Sequence, residues 1–365
     1  MTMKNTARSN ALRGVVLFSC LSVSVLAHAQ DAGPEPSADV EAVAPAAIVS
    51  LVEAREAAIQ AADELEGLHT LIVARDGEVW IEEGFEGRSV STPTNIKSAS
   101  KSIVSAMVGI AIDKGLLEGV DQPIAPLLED KIPADADPRI NEITIGHLLS
   151  MQAGLGRTSG ENYGRWIASS DWVRAALAEP FADDPGGRML YSTGSTHLLS
   201  AILMRVGEAD TMELANEWLG MDGAFRVTDW ERDPQGIPLG GNQMAVSPRS
   251  LLAFGEMYRN GGIGPDGERV VSQQWIDQSW ERRTSSVFSG EAYGYSWFLR
   301  DMAGVDCFYA WGYGGQMLYI LPELEMTVVV TSAENRPSAR SGYRDDLHAL
   351  VEDRLVRPVL EASGS

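Results

Sequence analysis

Ser98-Ala99-Ser100-Lys101 opens a long apolar run over residues 98–116 (SASKSIVSAMVGIAIDKGL) and sets a hydroxyl and an amine three residues apart. On a helix, residues at that spacing share a face, so Lys101 lies beside Ser98 one turn in. A serine hydroxyl is a poor nucleophile until a base takes its proton. A lysine can be that base only when neutral, and burial in an apolar helix shifts it that way. The N-terminus of such a helix also points backbone N–H groups to where an oxyanion would form. The bland alternative is an N-capping serine with an incidental lysine, although a lysine inside an apolar helix is costly without a partner or a task.

Two further segments carry chemistry. Tyr191-Ser192-Thr193 follows the Asp184-Pro185-Gly186-Gly187 turn and precedes a helical run, STHLLSAIL. A tyrosine at that junction can relay a proton between Ser98 and a leaving group, or simply pack. Ala310-Trp311-Gly312-Tyr313-Gly314-Gly315-Gln316 reads as the start of a strand. Gly312 and Gly314 would let a substrate lie close against a strand edge with backbone N–H groups free, or mark a bulge or turn.

Other chemistries are not signalled. There is no G-x-S-x-G elbow and no Gly-rich loop before a Lys-Ser/Thr pair. His69, His147, His197 and His348 lack zinc-ligand spacing, so no metal and no cofactor is expected. A Ser-His-Asp set assembled from distant positions stays open. His147 and His197, in Leu-flanked helical runs, read as structural histidines. Cys307, in an aromatic stretch, reads as a small buried hydrophobe. Glu256-x-x-x-Asn260 sits on an ordinary amphipathic helix.

These residues need elements to hold them. Residues 48–65 read as an amphipathic helix, and His69 to Phe85 as two strands around Asp76-Gly77. The run from Ser98 is a helix apolar all round, which belongs inside a large protein. Residues 118–232 break into short helical pieces, clearest at 145–153 and 195–206. Ser247-Pro248 opens a helix that closes at Asn260-Gly261-Gly262, and strand-like runs cover 292–300, 314–321 and 326–332. A last amphipathic helix covers 342–360. The pattern predicts an α+β fold. One sheet domain is built from both ends of the chain (46–117 and 240–362), with a helical insertion domain at 118–239.

The 365 residues carry 29 Lys+Arg against 51 Asp+Glu, a charge of −22, which argues against nucleic-acid binding. A basic stretch, an apolar run from Gly14 to Leu26 and Ala27-His28-Ala29 have the layout of a signal peptide cleaved after Ala29. Lipidation at Cys20 is the weaker reading, because the apolar run continues past it. The expectation is a periplasmic or secreted protein with no stable membrane insertion, a flexible leader over 30–45, and a charge of −25 once three basic residues are gone.

Ser98-x-x-Lys101, Tyr191-Ser192-Thr193 and Trp311-Gly312/Gly314-Gly315, in that order, resemble the serine β-lactamase-related family. The likeness is to the branch of class C β-lactamases, DD-peptidases, family VIII esterases and aminohexanoate-dimer hydrolases. Flanks over 95–111, 143–155, 191–203 and 312–329 match as well, and the likeness runs from about residue 66 to 333. It implies a β-lactamase/transpeptidase-like fold, an antiparallel sheet flanked by helices plus a helical domain, with the site between them. Ser98 would be the nucleophile, with Lys101 and Tyr191 sharing the acid and base work. Backbone N–H groups of Ser98 and Tyr313 would form the oxyanion hole, and Tyr191 would activate water. Thr193, Trp311, Gly312 and Gly314 would line the substrate.

Two departures narrow this. Thr193 stands where the family usually carries Asn. Ala310-Trp311-Gly312 fills the place of a motif that begins with Lys or His, so the cation that holds a penicillin carboxylate is missing. The expected activity is therefore hydrolysis of a small ester or amide substrate, neutral or cationic. β-Lactam or D-peptide hydrolysis comes second, and a non-catalytic acyl-binding sensor third.

Overall fold

The computed structural model describes residues 45–338 and 341–364. The expected signal peptide, Cys20 and all but the last residue of the leader lie outside the described residues. None of the described helices is long and apolar enough to cross a membrane.

In chain order, helix α1 (Pro45–Asp63) leads into a hairpin, β1 (Leu68–Arg75) and β2 (Glu78–Gly84), that turns on Asp76-Gly77. A two-residue strand, β3 (Thr94–Asn95), precedes a 3-10 turn (Lys97–Ala99) and then α2 (Ser100–Asp113). Five helices follow: α3 (Ile145–Leu149), α4 (Tyr163–Ile167), α5 (Trp172–Leu177), α6 (Thr193–Val206) and α7 (Thr211–Trp218). Strands β4 (Val227–Trp230) and β5 (Met244–Val246) lead to α8 (Pro248–Arg259) and α9 (Gln273–Trp280). Then come β6 (Thr284–Ser285), β7 (Ala292–Tyr293), β8 (Phe298–Met302), β9 (Val305–Gly312), β10 (Gln316–Leu321) and β11 (Met326–Ser332). Helices α10 (Tyr343–Val351) and α11 (Arg357–Ser363) close the chain, joined by a π turn over 352–356.

The main sheet is antiparallel, in the order β2-β1-β11-β10-β9-β8-β7-β6, so strands from both ends of the chain meet at β1 and β11. Its central strands are apolar on both faces because both are covered. Met317, Tyr319 and Leu321 of β10 join a core with α1, α10 and α11, while Leu318 and Ile320 join one with α2 and α8. That alternation is the two-residue period of a strand. The second core continues through Val173, Leu198 and Leu203, so the helical middle shares it.

The structure departs from the sequence reading at several strands, and the run expected over 292–300 is split into β7 and β8. Residues 305–312 form a full strand, so Ala310-Trp311-Gly312 ends β9, and Tyr313-Gly314-Gly315 is the hairpin turn into β10 rather than the start of a strand. Aromatic side chains on both faces of β9, Phe308 on one and Tyr309 and Trp311 on the other, hid its alternation. A second sheet, β3-β5-β4, ties Thr94-Asn95 to residues 227–246. Strands of two to four residues are too short to show a period.

Candidate active site

The run from Ser98 does not start as an α-helix. Ser98 sits in the 3-10 turn, and α2 begins at Ser100. Lys97 takes a left-handed conformation, φ +51°, which is uncommon for a residue with a Cβ. Three contacts hold it there. Its N–H donates to Asn95 Oδ1 (3.0 Å), and its ammonium donates to Gln243 Oε1 (3.0 Å) and pairs with Glu334 (3.4 Å). This kink leaves Ser98 half-exposed while Ala99 to Ala111 are buried.

Lys101 is 1% exposed. Its Nζ lies 3.1 Å from Ser98 Oγ and donates to the Gly241 carbonyl at 2.6 Å. No carboxylate pairs with it among the described residues, and burial lowers its pKa to about 7. A neutral amine that donates one N–H to Gly241 is free to direct its lone pair at the Ser98 hydroxyl. Gly241 was not foreseen, although the Gly240-Gly241 pair is a visible signal. It has φ +79°, and a Cβ there would stand 2.7 Å from Lys101 Cγ.

Tyr191 approaches from the other side, with Lys101 Nζ 5.1 Å from its ring centroid. Burial raises its phenol to about 12, against an opposing pull from the Ser98 hydroxyl. Its segment is anchored from a distance. Thr158 N–H donates to Ser192 Oγ (3.1 Å), while Thr193 N–H donates to Ser159 Oγ and Gly194 N–H to Thr158 Oγ1, both at 2.7 Å. Thr158 and Ser159 thus cap α6 in place of Ser192, whose side chain makes no cap of its own. Nothing local in the sequence marks them. Arg157 Nε also donates to the Tyr191 carbonyl (3.1 Å).

The same anchoring holds Thr193, which is buried with its hydroxyl 2.9 Å from Ser159 Oγ and so supports the loop.

The β9–β10 turn forms the third side. Gly312 lies flush against the segment leading to Ser98, since a Cβ on it would come 2.1 Å from the Ile96 carbonyl. Tyr313 is 48% exposed, and its backbone N–H makes no hydrogen bond among the described residues. Gly314 N–H donates to Ser338 Oγ at 3.2 Å. Trp311 is half-buried, edge-on to Phe298, with the Arg344 guanidinium 5.2 Å from its ring centroid. Arg344 is paired with Glu291 (3.7 Å) and Asp345 (3.3 Å). Ser98 is rooted in the α2 core, and Tyr191 and Trp311 rest on the other.

The remaining candidates stand elsewhere. His197 is buried with its Nε2 3.1 Å from Asp233 Oδ2, and His147 Nδ1 accepts from Thr144 N–H at the start of α3 (3.3 Å). Glu256 makes two 2.9 Å bonds with Arg259 and pins α8. Cys307 is buried and its thiol pKa is pushed far up by desolvation.

A serine–lysine pair and a tyrosine thus meet beside the β9–β10 turn of an antiparallel sheet flanked by helices. The sequence model of the Beta-lactamase family matches residues 52–353, and the chain belongs to that family. No curated protein matches it. Among solved structures it is similar to a family VIII carboxylesterase (TM-score 0.66, 18% identity, 87% of this chain and 98% of the other). It is also similar to a class C β-lactamase from Rhodobacter sphaeroides (0.60, 16%, 87% and 99%). A D-stereospecific amidohydrolase from Streptomyces sp. follows (0.61, 14%, 84% and 98%). At these identities the likeness is one of fold.

Proposed function

We propose that this chain is a serine hydrolase that forms an acyl-enzyme on Ser98 and cleaves a carboxylic ester or a small amide. The observation that carries this is the buried amine of Lys101, 3.1 Å from Ser98 Oγ and without a carboxylate partner. Near neutral pH about half of such amines lack a proton, and the free form accepts the hydroxyl proton as Ser98 Oγ attacks the carbonyl carbon. Tyr191, high at about 12, keeps its proton and delivers it to the departing oxygen or nitrogen. The backbone N–H groups of Ser98 and Tyr313 receive the oxyanion. Water then attacks the acyl carbon, with its proton returned through Tyr191 and Lys101.

Position 310 offers no cation, which favours neutral or cationic substrates over β-lactams and D-peptides. The second reading, a β-lactamase or DD-peptidase, draws on Arg344, a guanidinium already close to Trp311; it must first leave Glu291 and Asp345. A fluorophosphonate probe should label the wild type and not Ser98→Ala; labelling that persists removes Ser98 from the scheme. In a panel, p-nitrophenyl esters should turn over faster than nitrocefin, and the opposite ranking would favour the Arg344 reading. Labelling without turnover of any ester, amide or β-lactam would instead mark an acyl-binding sensor.

A further inference from the structure

Among the described residues, the exposed large apolar side chains are Val52, Val79, Leu116, Val287, Phe288 and Tyr313. The first three lie singly, on α1, on β2 and just past α2, where an exposed aliphatic residue needs no explanation. The other three do not scatter. Tyr313 is on the β9–β10 turn beside Ser98. Val287 and Phe288, 65% and 67% exposed, are neighbours at the tip of the loop between β6 and β7. That loop is tied to the site through one side chain. The Arg157 guanidinium lies 4.8 Å from the Phe288 ring centroid, and its Nε donates to the Tyr191 carbonyl. The loop's far end, Glu291, accepts from Tyr309 OH (2.7 Å) and pairs with Arg344 over Trp311. The loop therefore reaches the borders of the site at Phe288, through Arg157, and at Glu291, through Arg344, while Val287 and Phe288 stay largely exposed.

We propose that Val287 and Phe288 form an apolar lip that binds the leaving-group side of the substrate, an uncharged ester of an aliphatic or aryl alcohol. This rests on the acyl-enzyme reading above. The side follows from the proton path: Tyr191 protonates the departing oxygen, so the alcohol lies toward Tyr191, and Phe288 reaches that residue's backbone carbonyl through Arg157. Covering two exposed apolar side chains with the alkyl part of an alcohol removes both from water.

The test holds the acyl group constant. Ethyl, butyl, hexyl and octyl acetate all pass through one acetyl-enzyme, so differences in kcat/KM report the alcohol. For the wild type, the octyl-to-ethyl ratio of kcat/KM should rise well above one. In Phe288→Ala and Val287→Ser, that ratio should fall about tenfold, which the burial of about two methylenes suffices to supply. A ratio unchanged in both variants overturns the proposal. So does a fall confined to acyl length, measured with p-nitrophenyl acetate against octanoate, or a wild type that prefers 7-acetoxyheptanoate to heptyl acetate, which would make Arg157 a carboxylate site. A sedimentation shift from dimer to monomer in Phe288→Ala with an unaltered ester series would assign the lip to a second copy and also overturn it. Should the wild type cleave no ester, the hydrolase reading fails separately. The lip is then judged by octyl acetate binding to Ser98→Ala, read by tryptophan fluorescence. Weaker binding when Phe288→Ala is added supports it, and equal binding sinks it.

Discussion

Burial of the Lys101 ammonium bears on the stability of this protein and, in the proposed mechanism, on its working pH. With a pKa near 7, the neutral amine grows about tenfold per pH unit below that value and levels off above it. Tyr191 at about 12 adds no falling limb in the neutral range. We expect kcat/KM for a neutral ester to rise with pH to a plateau above about 7; a flat profile from pH 5 to 9 would exclude Lys101 as the base. Unfolded, the same lysine holds its proton to about pH 10.4. Between 7 and 10.4 the unfolded chain binds more protons, so stability increases with pH there, and the full cost is felt below 7. At neutral pH that cost is on the order of 4 kcal/mol. Lys101→Met should therefore end turnover and raise Tm at pH 6, with the gain shrinking as pH approaches 10, as a pair of calorimetric series would show. Tyr191→Phe should fold normally and lose most turnover, on the order of a hundredfold. The Ser98–Lys101 contact was readable in advance because a three-residue spacing is local. The support role of Thr193 was not, because Ser159 lies 34 residues away.

Each of the three site segments is held by an element far from it in sequence. The 3-10 turn of Ser98 leans on the end of β9, Lys101 hangs from the Gly240-Gly241 segment, and the start of α6 is capped by Thr158 and Ser159. Gly312 shows how tight the first contact is. Gly312→Ala would push a methyl group into the Ile96 carbonyl and shift the turn that carries Ser98. The expected result is a loss of about 2 kcal/mol or more in stability, and a drop in fluorophosphonate labelling beyond what the lower Tm explains. An Ala variant with wild-type labelling would show that the turn moves freely. The positions of α1, α2, α6 and α8 were legible from the apolar period and from caps such as Ser247, whose Oγ accepts Ser250 N–H, whereas α9 was not. The short strands β3 to β7 and the turn at Tyr313 were not, because pairing partners supply their order.

At the level of the described residues, strands from both ends build one sheet and the middle supplies five of the eleven α-helices, in keeping with the charge-poor, apolar runs at 68–75, 316–321 and 326–332. We propose that the chain is exported, on the basic and apolar layout of residues 4–29. Sequencing the N-terminus of protein recovered from a periplasmic fraction should begin at Gln30; a cytoplasmic protein that retains Met1 would refute this. Periodicity, the Ser98–Lys101 spacing and the order of three short motifs were enough to reach the fold class and to set Lys101 beside Ser98, since each depends on neighbours within a turn or a strand. Folding settled what no local pattern encodes: the Gly241 carbonyl that orients the amine, the hydroxyls that cap α6, and the loop that brings Phe288 to Arg157. Those contacts join residues tens to hundreds of positions apart, and their geometry exists only once both cores have closed around them.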